Sequence, residues 1–120
     1  MILTKSLPSR YIFVFGSNLA GYHGAGATLF ARTHFGAVQG VGKGRQGNSY
    51  AIPTKDERLC SLDPVVINES LRSFKCYASL NPQLTFLLTP VGTGLAGIDP
   101  SKLELTNDLP GNIVYLPDLG

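Results

Sequence analysis

Hydrophobic residues in this chain come in short unbroken runs, separated by stretches with a helical beat. Tyr11-Ile12-Phe13-Val14-Phe15 is aromatic and β-branched throughout and is stopped by Gly16. A run without polar alternation fits a strand buried on both faces. Ala27, Phe30, Ala31, His34 and Phe35 then recur at i, i+3, i+4, i+7 and i+8, the face of a helix that Gly36 closes from the C′ position. Gly36 to Gly47 has no periodicity and predicts a mobile connection. Ser49-Tyr50-Ala51-Ile52-Pro53 predicts a second short strand with Pro53 at its end. Asp63-Pro64 supplies an N-cap and a proline at the first helical position. The helix it opens carries Ile67, Leu71, Phe74 and Ala78 on one face and ends near Asn81-Pro82. Leu84 to Val91 and Asn112 to Pro117 predict two further strands, and Pro100 to Thr106 a short helix.

Strands that alternate with helices and are buried on both faces predict an α/β fold. The expected architecture is a three-layer α/β/α sandwich with a mixed, largely parallel sheet. In such sheets ligands bind beyond the carboxyl ends of the strands. Two glycine-rich loops leave strands at that end. One runs Gly16-Ser17-Asn18-Leu19-Ala20-Gly21-Tyr22-His23-Gly24-Ala25-Gly26-Ala27, and the other is Gly92-Thr93-Gly94-Leu95-Ala96-Gly97. A loop of small residues that enters a helix presents backbone N–H groups at the positive end of the helix dipole, a setting for phosphate. Two such loops on neighbouring strands can hold a diphosphate from both sides.

Composition narrows the picture. With 120 residues the chain is expected to form one domain over 1–120, with room for a single core. An apolar content of 43% with 15% charged residues points to neither disorder nor a fibrous repeat. A net charge of +2 is too small to argue for a nucleic-acid surface. Nine of the 14 glycines lie between Gly16 and Gly47, so the excess is local. Cys60 and Cys76 have neither metal spacing nor a disulfide framework; no metal site and no cofactor is expected. Cys76, within a helical pattern, is expected as a small buried apolar residue. Met1 to Arg10 has no run of signal-peptide length and no segment could span a bilayer, so a soluble, cytoplasmic protein without a membrane partner is expected. Oligomeric state is not written in the sequence.

The familiar phosphate motifs fail. A Walker A loop ending in Gly42-Lys43 would need glycine and Ser or Thr where Ala37 and Gly44 stand. Gly42 to Gly47 matches GxGxxG but precedes a strand instead of opening a helix, which reads as a surface loop.

Phe15-Gly16-Ser17-Asn18, His23-Gly24-Ala25-Gly26-Ala27 and Pro90-Val91-Gly92-Thr93-Gly94-Leu95, in this order and spacing, resemble the macrodomain family of ADP-ribose binders. With Tyr50-Ala51-Ile52-Pro53-Thr54-Lys55-Asp56, the chain is most similar to the branch that removes terminal ADP-ribose from proteins. The resemblance covers about Tyr11 to Pro117. It implies ligand contacts from Gly16, Ser17, Asn18, Leu19 and His23, with Asn18 on the distal ribose. Gly24, Ala25, Gly26 and Ala27 would approach through backbone N–H groups. Thr54 would add a further contact, and Val91, Gly92, Thr93, Gly94, Leu95, Ala96 and Gly97 would form the opposite wall. In that branch a lysine attacks the anomeric carbon and an acid follows the second glycine loop. Lys55 matches the lysine. Ala96 stands in the acid's place, and Asp99, three residues on, is the candidate to supply it. Met1 to Arg10 also lacks the acid with which many family members recognise adenine.

The residues themselves leave alternatives open. Glycines form turns, Asn18 can cap one, Lys55 can be a solvated surface lysine, and Tyr22 can be a surface residue. His23 reads as a loop residue and His34 as helix packing. Three functions follow. The leading expectation is a binder of ADP-ribose or a related NAD-derived nucleotide, with hydrolysis of ADP-ribosyl linkages left open. The second is an active hydrolase using Lys55 on ADP-ribosylated protein or nucleic acid. The third is a protein-interaction module that binds no nucleotide.

Overall fold

Tyr11–Asn18 forms β1, the strand on which the sheet is built. The computed structural model describes residues 10–94 and 96–117; Leu95 and the expectations resting on Met1–Ser9 lie outside the described residues. After β1 come α1 (Gly26–His34), β2 (Gly44–Gln46), β3 (Ser49–Lys55), α2 (Pro64–Ser79) and β4 (Thr85–Leu88). A 3-10 turn (Pro100–Lys102) and β5 (Ile113–Tyr115) follow. The sheet order is β2-β3-β1-β4-β5. β1 pairs in parallel with β3 and with β4, β4 pairs in parallel with β5, and β2 runs antiparallel to β3. Among the described residues the fold is therefore α/β, with a mixed, mainly parallel five-stranded sheet and two α-helices.

Alternate residues of β1 feed two apolar clusters. Ile12 and Val14 pack with Ile67, Leu71, Phe74 and Ala78 of α2, the four positions expected on the apolar face of that helix. Asp63 caps α2 by accepting from the Val65 amide, and Pro64 takes its first turn. Phe13 and Phe15 pack with Ala31 and Phe35, and Phe13 stacks on Phe35 at 5.1 Å between ring centroids. Gly36, with φ +75°, closes α1.

Several boundaries differ from expectation, each for a local reason. Gly16 does not stop β1, because parallel pairing continues through it to Ile52, Pro53 and Lys55 of β3. Pro53 does not end β3. β2 pairs only as far as Ala51, so no neighbour on that side misses the proline's absent donor. The connection from Gly36 to Gly47 is not a structureless link. It contains β2; Gly40 N–H to Gly21 O (2.8 Å) ties it to the first glycine loop, Asn48 N–H to Phe35 O (2.8 Å) joins the residues flanking its two ends, and Gln46 Nε2–H to Val41 O (2.9 Å) braces it internally. Cys76 is exposed, not buried. Among the described residues no helix is long and apolar enough to cross a membrane.

The closest backbone approach binds this connection to the first glycine loop. A Cβ on Gly42 would lie 2.0 Å from the Asn18 carbonyl oxygen, and one on Gly21 would lie 2.3 Å from the Gly40 carbonyl carbon. Gly42→Ala is therefore expected to destabilise the protein by about 1–3 kcal/mol or more in urea unfolding. Gly24→Ala, with no atom within 4 Å of its Cβ, is expected to leave stability unchanged. Equal stability of the two variants would contradict this account of the loop packing.

Candidate functional site

At the carboxyl end of β1 the pairing with β3 slips. Ser17 stands opposite Pro53 but Asn18 stands opposite Lys55, so Thr54 forms a bulge. Bulges redirect side chains beside sites. Here the Thr54 hydroxyl donates to Ser17 O (3.2 Å), the Ser17 hydroxyl donates to Gly42 O, and the Leu19 amide donates to Lys55 O (2.9 Å). Asn18 then uses both ends of its amide on one residue: Nδ2 donates to Tyr22 O and Oδ1 accepts from Tyr22 N, each at 2.9 Å. The open alternative for Asn18 as a turn cap is thus realised, and it fixes the loop that leads into α1.

α1 begins at Gly26 with Ala25 as its N-cap. Alanine has no side chain to accept from the first amides, and the first turn holds no acid. The orphan N–H groups of a helix start need some acceptor. The second glycine loop faces this turn across a cavity of about 540 Å³, within the usual range for small-molecule sites. That loop is closed on itself by Gly97 N–H to Gly94 O and Ile98 N–H to Gly92 O, both 2.9 Å.

The cavity brings together most of the residues singled out in the sequence. Gly16, Ser17 and Asn18 line it from the end of β1, and Gly24, Ala25, Gly26 and Ala27 from the start of α1. Thr54 and Lys55 line it from β3, and Val91, Gly92, Gly94 and Ala96 from the second loop. Among the described residues no carboxylate lines the cavity, and Lys55 is the one charged side chain that does.

Other expected residues lie elsewhere. Leu19, Thr93 and Gly97 are not in the lining, and Leu95 lies outside the described residues. Thr93 turns its hydroxyl back to Pro90 O at 2.7 Å. His23 is fully buried beneath the loop, with its ring edge on Phe15 and Nε2 donating to Val41 O at 2.8 Å; it supports the loop and does not face the cavity. Its Nδ1 is buried without a partner. Asp99 is not brought to the cavity either. It caps the 3-10 turn, accepting from the Ser101 amide at 3.0 Å. That backbone bond, followed by the Ser101 hydroxyl, holds its carboxyl below the usual carboxylate range, so at neutral pH it has no proton to give. Asp56, beside Lys55, is not in the lining; its Oδ1 accepts from the Arg58 and Cys60 amides.

Residues absent from the expected set also line the cavity: Tyr22, Thr28, Leu59, Thr89 and Pro90. Thr28 belongs to the first turn of α1 and could have been read from it. Tyr22 and Leu59 carry no spacing signal. No protein-family model, curated protein or solved structure matches the chain.

Asn18→Ala removes both bonds to Tyr22. It is expected to cost about 1–3 kcal/mol and to accelerate hydrogen exchange at the Tyr22 amide ahead of exchange in β1. Unchanged exchange at that amide would show that Asn18 does not hold the loop.

Proposed function

We propose that this chain binds ADP-ribose or a related NAD-derived nucleotide, with the diphosphate between the first turn of α1 and the Gly92–Gly97 loop. The observation that carries this reading is the pair Gly24 and Gly94. Both line the cavity, a Cβ on either would meet nothing within 4 Å, and neither has the positive φ that requires glycine. Neither a steric clash nor a positive φ accounts for the missing side chains, whereas close backbone approach to a ligand does. The uncapped start of α1, the lack of any carboxylate in the described lining and the presence of Lys55 favour an anion there. The resemblance to macrodomains supplies the identity of that anion. In the same reading the sheet is the middle layer of a three-layer α/β/α sandwich, with α1 and α2 on opposite faces. The ligand is met free or on ADP-ribosylated protein or nucleic acid, in the cytoplasm, where the two free cysteines, Cys60 and Cys76, stay reduced.

A hydrolytic reading has one observation in its favour, the presence of Lys55 in the lining. General acid catalysis contributes about 10²–10⁴-fold, and neither Asp56 nor Asp99 is placed to provide it. Binding is therefore the conclusion.

Calorimetric titration with ADP-ribose, beside AMP and ribose 5-phosphate, is expected to show saturable one-to-one binding of ADP-ribose. Gly24→Val and Gly94→Val are expected to weaken it by about 100-fold, the cost of a buried clash, with unchanged unfolding midpoints. Wild-type affinity in both variants would overturn the site.

Lys55→Ala is expected to weaken binding by about tenfold through loss of a charge-assisted contact. The wild-type protein is expected to form no ribose adduct on Lys55 by mass spectrometry. An adduct would restore the hydrolytic reading.

A further inference from the structure

Leu59 stands in a backbone conformation that leucine rarely adopts, with φ +64°. Among the described residues the other non-glycine with positive φ is Asp108, and aspartate tolerates that region through local hydrogen bonds that leucine cannot make. A turn requiring this φ ordinarily takes Gly or Asn. Leucine here is not explained by the core, since its side chain belongs to neither apolar cluster and is 46% exposed. The conformation is nonetheless firmly held. The Asp56 carboxylate accepts from the Arg58 amide (2.8 Å) and the Cys60 amide (3.0 Å), and the Leu59 amide donates to Asp56 O (3.1 Å). Lys55 and Ser61 pair at the base of the turn, and the Ser61 hydroxyl donates to Ala96 O (2.7 Å), tying the turn to the second glycine loop. The strained leucine is thus held rigidly on the lining of the cavity that also contains Lys55.

From this arrangement we infer that Leu59 is a ligand-contacting residue, whose side chain covers the bound nucleotide at the mouth of the cavity. The inference rests on the nucleotide-binding reading above. An aliphatic side chain offers dispersion and exclusion of water, so its partner is the carbon face of a sugar or base and not a phosphate. Strain maintained with no gain in core packing is the pattern of a residue positioned for a ligand.

Leu59→Asn keeps the turn's φ and removes the apolar side chain, whereas Leu59→Met keeps an apolar one. Each variant is titrated with ADP-ribose and unfolded thermally without ligand. L59N is expected to unfold at or above the wild-type midpoint and to bind about fivefold more weakly, from lost apolar contact. L59M is expected to retain wild-type affinity. Wild-type affinity in L59N, or a lowered midpoint in L59N that accompanies its weaker binding, would overturn the role of Leu59 and leave the nucleotide reading intact. Absence of binding by the wild-type protein would instead remove that reading, and this inference with it.

Discussion

β1 is the constraint on which everything else rests. It is buried on both faces and has parallel neighbours on both sides. The chain leaves it through α1 toward β3 on one side, then returns through α2 to place β4 on the other. The order therefore reverses at β1. At such a switch point the loops leaving adjacent parallel strands diverge and open a crevice at their carboxyl ends. Gly16 to Asn18 and Thr89 to Val91 are the residues at that crevice. The cavity follows from the topology, and the loops decide what it can hold.

The glycines divide the labour. Gly21 and Gly42 let two backbone segments touch, at distances no side chain would permit. That contact, with the Asn18 clamp on Tyr22 and the buried His23 beneath, sets the first loop before any ligand arrives. Gly24 and Gly94 do nothing of the kind; they leave room. A loop ordered in advance loses little further entropy on binding, so backbone contacts of modest individual strength remain effective. The unpartnered Nδ1 of His23 is a cost of this support.

What the sequence made legible was whatever repeats or caps locally. The unbroken run of β1, the Asp63-Pro64 start and the apolar face of α2 could be read because each is a local pattern with one physical meaning. The two glycine loops could be read because composition changes sharply there. Gly36 to Gly47 could not, since its order comes from hydrogen bonds to Gly21, Phe35 and the Gln46 side chain and not from periodicity. Cys76 was misplaced because it lies two residues from both Phe74 and Ala78, on the side of α2 opposite the 67, 71, 74 and 78 face. Asp99 was drawn toward the site by sequence proximity alone, whereas the Ser101 amide two residues on captures it. Leu59 gave no signal, because a strained φ is a property of the folded turn.

The electrostatic asymmetry of the cavity bears on what kind of site it is. Acids occur close by in sequence, yet Asp56 and Asp99 are both engaged with backbone amides. Each braces the turn it sits in by accepting from backbone amides, and neither side chain is in the described lining of the cavity. What lines the cavity from the described residues is a lysine, the residues Ser17, Thr28, Thr54 and Thr89, whose hydroxyls donate to backbone carbonyls, and the first turn of a helix without a capping side chain. These groups lower the energy of an anion wherever it sits between the loops. The same local hydrogen bonding that shapes the 55–61 turn and the 3-10 turn therefore keeps both acids out of the described lining, and an anion is the charge this lining favours.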